Sequence, residues 1–512
     1  MDYGWSGQLA ASLNVNGTSL IVDDVAGLPS LPFRALIDGG TRVEEIVTVT
    51  ASSGPTLTVT RASDKTQDGT KVAFAHDKFA PISYIVTEAT LAGLGGGTTA
   101  FIDVRDYGAV LDATGVYDAA VSGGALSTVT SATANFTPAD TGKTYYLAST
   151  AGAVTTGTLT YVSSTSCTMS VAAGGALTGA RLIYGTDDTA AWQSALNAAA
   201  KGEIVDCSSL PWRSLCTGQL SVPSGVHLGL TGRGPFDPQT NPAMNHWGPT
   251  FVVGQHSTIP FVTLNTGSGV GDFIFYSANQ VPPTASTPTV LAAFISTYDS
   301  STAGCFIGKP YMANAYTGIQ IYGGRHVIDN PQIGAIANGI WLDHSMDCVT
   351  VYRLSVSPYW RICEGMAWTP TAGTLDAWVL ANGWAMQVLR ADSFWVDQLF
   401  AFGIYGALAL VDNSTDSPKP AYGRVGMIDA DMTAYGVYVT ATNTPGLIVS
   451  SLCHGGNSTG VGTAGQYGAV TVTGGSVVAK VVVKAWSLWG TRVGNSSTGA
   501  GTTLVVPGTN PG

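Results

Sequence analysis

Charged residues are scarce in this sequence. Asp, Glu, Lys and Arg make up only 11% of the 512 residues, against about 25% in an ordinary globular domain. The 22 Lys and Arg residues are outnumbered by 33 Asp and Glu residues, so the formal net charge is −11. Because proteins bind the nucleic-acid backbone mainly through cationic side chains, we do not expect nucleic acid as a partner.

Long apolar runs are also missing. No stretch of about 18 apolar residues could cross a membrane as a helix. The start of the chain, Met1–Ser6, lacks the charged-then-apolar form of a signal peptide. We therefore expect no membrane insertion, and we expect the chain to leave its cell by lysis or assembly rather than by secretion.

Paired cysteine motifs are absent as well. The seven cysteines show no C-x-x-C pair and no zinc-like spacing, and an odd number cannot all pair within one chain. We interpret them as buried small hydrophobic residues, and we expect no metal site and no cofactor. They are Cys167, Cys207, Cys216, Cys305, Cys348, Cys363 and Cys453.

Glycine is plentiful, with 64 residues, and its clusters divide the chain. Residues 1–92 contain short β-branched runs separated by Gly and Pro, a pattern typical of a small antiparallel β domain. We interpret His76 as a hydrogen-bonding residue that stabilises this domain, because no motif places a catalytic partner beside it. A Gly-rich linker follows within residues 93–110. The predicted strands are Ser19–Asp23, Phe33–Asp38, Val43–Val49 and Thr56–Thr60.

One amphipathic helix is predicted, in residues 184–202. Side-chain oxygens of Asp187 and Asp188 can cap its start, and Gly202 ends it. A helix at this position would cover the open first coil of a stacked β array, which otherwise presents unpaired backbone groups. The apolar residues that recur at helical spacing are Trp192, Ala195, Leu196 and Ala199.

Residues 111–183 form a strand-rich segment with Gly-rich turns, which predicts a small β barrel or sandwich. It can serve as a spacer, which we favour, or as a carbohydrate-binding decoration. The predicted strands are Leu126–Ser131, Thr144–Ala148, Thr158–Val162 and Thr168–Val171.

Similar short runs recur through residues 203–490. The run at Gly318 returns at Gly339, 21 residues later, and further runs begin with glycine at longer intervals. Such periods indicate a solenoid of about nine to twelve coils. The tail, residues 491–512, is polar and Gly-rich, and we expect it to wrap around neighbours or to fray. The later glycines are Gly406, Gly436 and Gly468.

Three segments in this order carry a resemblance to a known family: Asp103–Val110, Tyr184–Leu196 and Ser221–Leu228. They resemble the start of the pectate-lyase-like, right-handed β-helix found in tailspikes and tail fibres (minor tail proteins) of bacteriophages. Residues 111–183 depart from the family pattern, which usually runs without interruption between the first two segments. Residues 28–76 are similar to an N-terminal module that is widespread in phage tail proteins.

The resemblance implies an all-β fold: a single-stranded right-handed parallel β-helix with one N-terminal capping helix. A small antiparallel domain precedes this β-helix, a small β insert interrupts it, and the molecule is a homotrimer. The chain would then be a virion tail protein, assembled in the host cytoplasm and acting outside the cell. It would join other tail or baseplate proteins through residues 1–92 and meet a host-surface polysaccharide during adsorption.

Many members of the family cleave polysaccharides, and a glycosidase needs two carboxylates on neighbouring coils. Asp343 and Glu364 are 21 residues apart, which matches the local period and predicts that they stack. The alternative is that these carboxylates are solvated turn residues, and we lean toward no enzymatic activity. The other candidates are Asp347, Asp376, Asp392, Asp397, Asp429 and Asp431, with His344 as a possible acid or base.

Tryptophans concentrate in the middle of the solenoid. Six of the chain's 12 tryptophans lie within 55 residues. Aromatic rings can stack against the C–H faces of sugars, but they also pack the cores and seams of such solenoids. We therefore keep three functions open: glycan binding, polysaccharide depolymerisation, and a purely structural role in the tail tip or baseplate. The candidate sugar-binding residues are Trp341, Trp360, Trp368, Trp384 and Trp395, with Trp378 in the same stretch.

Overall fold

The computed structural model divides the chain into two compact units, residues 1–100 and 101–512. Most of the described residues lie in β-strands, and the larger unit is dominated by a parallel sheet. The structure describes residues 6–23, 31, 33–37, 45–61, 73, 75–76, 78, 81–84, 101–122, 127–149, 153–207, 212–230, 249–281, 285–357, 374–411, 422–442, 446–456, 468–473, 479–489, 495–498 and 502–505.

The first unit is a six-stranded antiparallel sheet in the order β1-β6-β3-β4-β5-β2. All four strands predicted in residues 1–92 are present, because Gly- and Pro-containing turns separate runs that alternate between buried and exposed positions. Two further strands were not predicted. The strands are β1 (Ser6–Gln8), β2 (Ser19–Ile21), β3 (Phe33–Ile37), β4 (Glu45–Ser53), β5 (Thr56–Thr60) and β6 (Pro81–Tyr84).

A buried charged group holds this sheet together. The Glu45 carboxylate accepts hydrogen bonds of 2.7 Å and 2.6 Å from Nε and Nη2 of Arg61. Its Oε2 atom also lies 3.1 Å from Nε2 of His76, and all three side chains are almost fully buried. A bidentate Arg–carboxylate pair satisfies the buried charges. The interpretation of His76 as a stabilising hydrogen-bonding residue is therefore confirmed.

The second unit contains the parallel sheet. Its strands are β7 (Phe101–Asp103), β14 (Ile204–Asp206), β15 (Arg213–Cys216), β16 (Leu220–Val222), β17 (His227–Leu228), β18 (Thr250–Val253), β19 (Val262–Leu264), β20 (Gly269–Val270), β21 (Ile274–Ser277), β22 (Ala293–Thr297), β23 (Phe306–Ile307), β24 (Tyr311–Ile321), β25 (Val327–Ile328), β26 (Gln332–Leu342), β27 (Ser345–Val356), β28 (Trp384–Val388), β29 (Ala391–Phe402), β30 (Gly406–Leu410), β31 (Gly423–Thr433), β32 (Tyr435–Val439), β33 (Leu447–Gly456), β34 (Gly468–Thr473), β35 (Ala479–Val483), β36 (Trp486–Trp489), β37 (Asn495–Thr498) and β38 (Thr502–Val505).

These strands form three parallel ladders that the chain visits in a constant order. The first ladder begins β7-β14-β17-β20, the second β15-β18-β21 and the third β16-β19-β22. Long strands such as β24 and β27 bend and serve two ladders each. From β14 to β37 the chain passes through the three ladders ten times, within the predicted range. Ten layers at the usual strand spacing of about 4.8 Å span about 50 Å.

The strand register confirms one predicted repeat and corrects the others. Ile319 pairs with Ile340, so the 21-residue spacing of Gly318 and Gly339 is a true layer-to-layer repeat. Gly406, however, pairs with Tyr435 rather than Gly436, and Tyr435 in turn pairs with Gly468. The glycine-based alignment was therefore wrong by one residue in both steps, because the aromatic Tyr435 occupies the position we had assigned to glycine.

The interior between the ladders is apolar. Its wide N-terminal end is filled by rings, with Trp192 centred 4.8 Å from Phe251 and Phe251 stacked 5.7 Å from Phe275. Further along, the same inward row of the second ladder contains the small residues Ala401 and Ala430 and then a buried histidine, His454, which pairs with Leu488 on the next layer. Strands that are buried on both faces, such as β30, explain the short continuous apolar runs in the sequence.

Residues 111–183 do form a closed antiparallel barrel, in the order β10-β11-β12-β9-β8-β13. All four predicted strands are present, but the first and last strands of the barrel were missed, and the last extends to Gly185. The strands are β8 (Thr114–Val121), β9 (Thr128–Thr130), β10 (Thr144–Ala148), β11 (Val154–Ser163), β12 (Ser166–Met169) and β13 (Leu177–Gly185).

The two ends of the barrel are clamped to each other. Asp188, which follows the barrel, accepts hydrogen bonds from the backbone N–H groups of Val110 and Leu111, which precede it, at 2.8 Å and 3.0 Å. Reciprocally, Asp112 accepts bonds from the backbone and hydroxyl of Thr186 at 2.7 Å and 3.0 Å. Burial raises the pKa of Asp188. The carboxylates of the sequence motif therefore hold the barrel's ends together.

The barrel packs on the outer face of the second ladder. Tyr146 and Ile183 of the barrel share an apolar cluster with Leu215, Val252 and Tyr276 of the ladder. Arg181, which is fully buried, donates to the carbonyl oxygens of Ala278 (2.6 Å) and Gln280 (3.2 Å) and to the Tyr276 hydroxyl. Its guanidinium carbon lies 5.4 Å from the centre of the Tyr276 ring.

Two α-helices are described, α1 (Thr189–Ala198) and α2 (Thr374–Asn382), besides the 3₁₀ turns Val104–Tyr107 and Pro138–Asp140. The first helix is the predicted one, with Trp192, Ala195 and Leu196 fully buried. Asp187 accepts a hydrogen bond from the Thr189 N–H at its start, whereas Asp188, expected to share this role, makes no side-chain cap. The second helix was missed, because its residues carry almost no apolar periodicity.

The last layers extend beyond the predicted end of the solenoid. Strand β37 pairs in parallel with β34, and β38 pairs with β35, so parts of residues 491–512 continue the sheet rather than fray. Four of the cysteines are buried as predicted, but Cys348 is exposed, Cys453 is half-buried, and Cys363 lies outside the described residues. Among the described helices, none has both the length and the apolar character needed to cross a membrane.

Replacement of Arg181 by Met tests the docking of the barrel. The buried carbonyls of Ala278 and Gln280 would lose charged donors, so we expect a loss of about 2–4 kcal/mol in the free energy of docking. Hydrogen exchange at residues 278–281 should then accelerate, and limited proteolysis should release the barrel segment earlier.

The matched control is Arg325→Met. Arg325 also forms an ion pair, with Asp347, but the two side chains are 74% and 57% exposed. Exposed ion pairs are worth about 0–1 kcal/mol, so exchange and proteolysis should barely change. Equal effects of the two substitutions would contradict the assigned role of Arg181.

The buried side chain of His454 should make the parallel sheet lose stability in acid. Burial lowers its pKa to about 4 from the ordinary histidine value of about 6.5. The unfolded chain is therefore protonated first as the pH falls, and stability is lost from about pH 6.5 down to about pH 4, by about 3 kcal/mol in all. In His454→Gln, we expect a smaller fall of the melting temperature over this pH range than in the unmodified protein. His256→Gln, at an exposed site, should retain the full fall.

Candidate functional site

The third ladder turns a row of polar and aromatic side chains outward. In β26, Ile340 and Leu342 are fully buried, while Trp341 between them is only half-buried. Side chains alternate between the two faces of a strand, so Trp341 points away from the core. The outer face of this ladder is therefore where sequence-predicted binding residues reach the surface.

Trp341 lies between two glutamines on the neighbouring layers. It pairs with Gln320 on one side and with Gln387 on the other. Its ring centre lies 6.1 Å from that of Tyr322, in a T-shaped arrangement. The Gln320 amide donates a hydrogen bond to the Tyr322 hydroxyl, which fixes the orientation of both side chains. The group presents an aromatic surface flanked by amides.

A carboxylate and a histidine lie at the end of this strand. Asp343 is buried, and its Oδ1 atom accepts a 2.8 Å hydrogen bond from the backbone N–H of His344. Nδ1 of His344 lies 3.1 Å from the same oxygen. His344 has a φ of +48°, a left-handed conformation that is uncommon for histidine. Burial, and then the charge of Asp343, raise the pKa of Tyr322.

Four aromatic rings form a cluster at the beginning of the same ladder's strands. We name Trp384, Tyr405, Tyr435 and Tyr438 the four-ring cluster. Trp384 stacks on Tyr435 with ring centres 6.0 Å apart and an angle of 18°. Tyr405 meets both rings edge-on, at 5.4 Å and 5.2 Å, and Tyr438 lies 5.2 Å from Tyr435. Three of the four rings are half-buried, so the cluster reaches the surface.

Gly406 makes this stacking possible. It lies on the layer between Trp384 and Tyr435, and a Cβ atom there would sit 2.1 Å from the Trp384 ring. The backbone of Tyr405 is held from two sides, because its N–H donates to the Val379 carbonyl of α2 and its carbonyl accepts from Ala434. Helix α2 thus positions one ring of the cluster.

The structure separates the predicted tryptophans. Trp341 and Trp384 lie on the third ladder, on adjacent layers and about 10 Å apart along the strand direction. Trp395 is 53% exposed but lies on the first ladder, paired with Thr350 and Arg424. Trp378 packs against the core from α2. Trp360 and Trp368 lie outside the described residues.

Asp343 and Glu364 are the pair that the 21-residue period predicts to stack. Strand β26 pairs with β28, so Ile340 aligns with Met386, and the 21-residue period ends after one layer. The segment between β27 and β28, which includes α2, lengthens that layer. Leu389 therefore follows Asp343 on the next layer, with its N–H bonded to the Leu342 carbonyl. Glu364 itself lies outside the described residues.

A different carboxylate pair is brought together on the second ladder. Asp429 and Asp431 are two residues apart in β31, so both point to the same outer face, with Cα atoms about 7 Å apart. They align with Phe400 and Phe402 on the preceding layer and with Cys453 and Gly455 on the next. Burial, and then the negative charge of Asp431, raise the pKa of Asp429.

The remaining carboxylate candidates are dispersed. Asp347 is exposed and pairs with Arg325, as a surface turn residue would. Asp397 is exposed and Asp392 half-buried on β29, and Asp376 lies in the first turn of α2. Within the described ranges, no group of three His, Cys, Asp or Glu side chains could hold a metal ion.

Sequence reasoning found two of the aromatic residues on this face and missed the tyrosines. Tyr435 immediately precedes the repeat that begins at Gly436, Tyr438 lies within it, and the misaligned register hid the position of Tyr435 beside Gly406. The cluster could have been found by aligning its aromatic residues with the glycine that lies between them on the intervening layer.

Comparison with known proteins adds no family assignment. No protein-family model matches the chain. No curated protein matches it either.

Proposed function

We propose that this chain is a bacteriophage virion tail protein, a tailspike or tail fibre, that binds a host cell-surface glycan during adsorption. The observation that carries the binding function is the outer face of the third ladder, where Tyr438 of the four-ring cluster lies in the same row as Trp341, three layers further along. Aromatic rings with polar rims are the groups that hold sugars in concave or flat protein sites.

The assignment to a tail protein rests on the three sequence segments and on the path of the chain. Constant passage through three parallel ladders is what a right-handed β-helix requires. Helix α1 acts as its cap in this proposal: the Gln193 amide bonds to both the N–H and the carbonyl of Ser221, at 2.8 Å and 3.1 Å. This bonding replaces a neighbouring strand at the open edge of β16.

The oligomer and the attachment site belong to the same proposal. The β-helix forms a homotrimer, and residues 1–92 join it to other tail or baseplate proteins. The first ladder carries partly exposed apolar residues on its outer row, namely Trp395, Ile448, Val482 and Val505. Such a row is suited to burial against copies of the same chain.

Binding on the third ladder would work through contact area and orientation. The rings of the four-ring cluster hold one another edge-to-face, so little side-chain freedom is lost when a sugar packs on them. The amides of Gln320 and Gln387 can donate to and accept from sugar hydroxyls. An extended glycan could then contact both aromatic groups at once.

Substitution of the rings tests glycan binding. A ring contact is worth about 0.5–1.5 kcal/mol, so the double variant Trp341→Ala/Trp384→Ala should bind host surface polysaccharide about 5- to 150-fold more weakly. Affinity is measured by affinity electrophoresis or biolayer interferometry on polysaccharide from candidate hosts, and fold by circular dichroism.

Two further variants sharpen this test. Gly406→Ala keeps all four rings but displaces that of Trp384, so it should also weaken binding. Trp395→Ala removes a more exposed ring from the first ladder and should leave affinity unchanged in protein that keeps the oligomeric state of the unmodified chain, as checked by light scattering. Loss of binding in Trp395→Ala alone would locate the site on the first ladder and contradict the proposal.

A polysaccharide depolymerase on the same scaffold is the second candidate, favoured by Asp429 and Asp431. An inverting glycosidase needs carboxyl groups about 6.5–9.5 Å apart, one of them protonated as the acid. The two side chains share one face, and the environment favours the neutral form of Asp429. Phe400 and Phe402 line the preceding layer.

The depolymerase candidate predicts release of reducing ends from host polysaccharide. Asp429→Asn and Asp431→Asn should each abolish release while leaving glycan binding intact, because a general acid and a general base are both required. Asp343→Asn tests the earlier carboxylate candidate, and Asp397→Asn, at an exposed site, is the control. Binding without any release would exclude this candidate, and neither binding nor release would favour a structural tail-tip or baseplate role.

A further inference from the structure

We propose that the third-ladder face recognises an uncharged polysaccharide, whose hydroxyl groups and C–H surfaces it contacts, rather than an acidic one. This inference rests on the glycan binding proposed above and specifies the chemical class of the ligand. It is carried by the side chains that the strand register places in one outer row and by the carboxylate of Asp343 at the edge of that row.

The outer row of the third ladder is neutral over eight consecutive layers. Its larger members Gln320, Trp341, Gln387 and Tyr438 are half-buried and can be reached by a ligand, whereas the four small members between and beyond them are buried. Each member pairs with the next in the parallel register, so the side chains lie in one line about 4.8 Å apart. The members are Thr263, Ser296, Gln320, Trp341, Gln387, Ala409, Tyr438 and Thr471.

These groups suit sugar hydroxyls. An amide offers both donors and acceptors, as a hydroxyl does, so Gln387 can bond a sugar hydroxyl in either direction. Gln320 is oriented by its bond to Tyr322. Recognition of carboxylated or sulfated sugars relies instead on charge-assisted bonds from Arg or Lys. The groups on this row match neutral ligands.

The edge of the row carries a negative charge. Asp343 follows Trp341 by two residues. It accepts a hydrogen bond from the backbone N–H of His344, and the same oxygen lies 3.1 Å from Nδ1 of that ring. The side chain is buried, and its charge, together with burial, raises the pKa of the neighbouring Tyr322. An anionic sugar packed on Trp341 would therefore lie close to a carboxylate beneath the surface, and the net charge of −11 adds repulsion at longer range.

The test uses ligands that differ in charge alone. The full-length protein is first screened against neutral polysaccharides (dextran, mannan, starch and β-glucan) and acidic ones (polygalacturonate, alginate, hyaluronan and polysialic acid). The neutral polymer that binds is then compared with its carboxymethyl and hydroxyethyl derivatives at equal substitution. Hydroxyethyl groups control for the size of the substituent, so the remaining difference in affinity between the two derivatives measures the effect of charge.

We expect binding to at least one neutral polymer, with affinity that changes less than about twofold between low and high salt, because no ion pair forms with it. Carboxymethylation should weaken binding about tenfold more than hydroxyethylation. Asp343→Asn should recover part of that difference while leaving affinity for the neutral polymer within about twofold. Trp341→Ala and Gln387→Ala should each weaken binding of the neutral polymer.

Other results would overturn the inference in distinguishable ways. Binding to acidic polymers only, or equal binding of the carboxymethyl and hydroxyethyl derivatives, would reject the neutral ligand class but leave glycan binding in place. Binding to neither class would reject both the inference and the proposed function. Neutral binding that survives Trp341→Ala and Gln387→Ala would place the sugar on another face of the protein.

Discussion

The backbone hydrogen bonds between successive layers are the constraint on which the larger unit depends. Each layer leaves one row of N–H and C=O groups open until the next layer pairs with it, so no layer is satisfied alone. Inward residues must therefore be apolar and compact, as in the row from Phe251 to Ala430. Outward residues are freed from this requirement. The first layer obtains its partners from side chains, with Gln193 bonding to Ser221 and Thr189 accepting from Thr217 and Gly218.

The same constraint explains how a whole barrel fits between two parts of one motif. Thr114 pairs with Tyr184, so the barrel leaves and returns at one point and does not disturb the layers. Asp112 and Asp188 hold the two ends by reciprocal bonds to backbone N–H groups. Arg181 and the surrounding apolar cluster then seat the barrel on the second ladder. The insertion adds a surface to the protein while the parallel core remains continuous.

Close layer spacing also shapes the candidate site. Strands about 4.8 Å apart bring rings from separate layers into contact, and a glycine between them leaves room for stacking, as Gly406 does for Trp384 and Tyr435. Rows of like side chains follow from the same geometry. The third ladder thus presents an aromatic and amide surface, the first an exposed apolar row, and the second a pair of carboxylates next to two phenylalanines.

The sequence by itself determined the β class, the division into segments, the helix with Trp192 and Leu196, and the strands of the barrel, because these follow from local turns and periodicity. It also identified Trp341 and Trp384 among the candidate sugar-binding residues. Only the tertiary structure decided which residues are neighbours across layers. Layers differ in length, so Asp343 meets Leu389 rather than Glu364, and Gly406 meets Tyr435. Register depends on loop lengths and core packing that no local pattern encodes, and a shift of one residue turns a side chain to the opposite face.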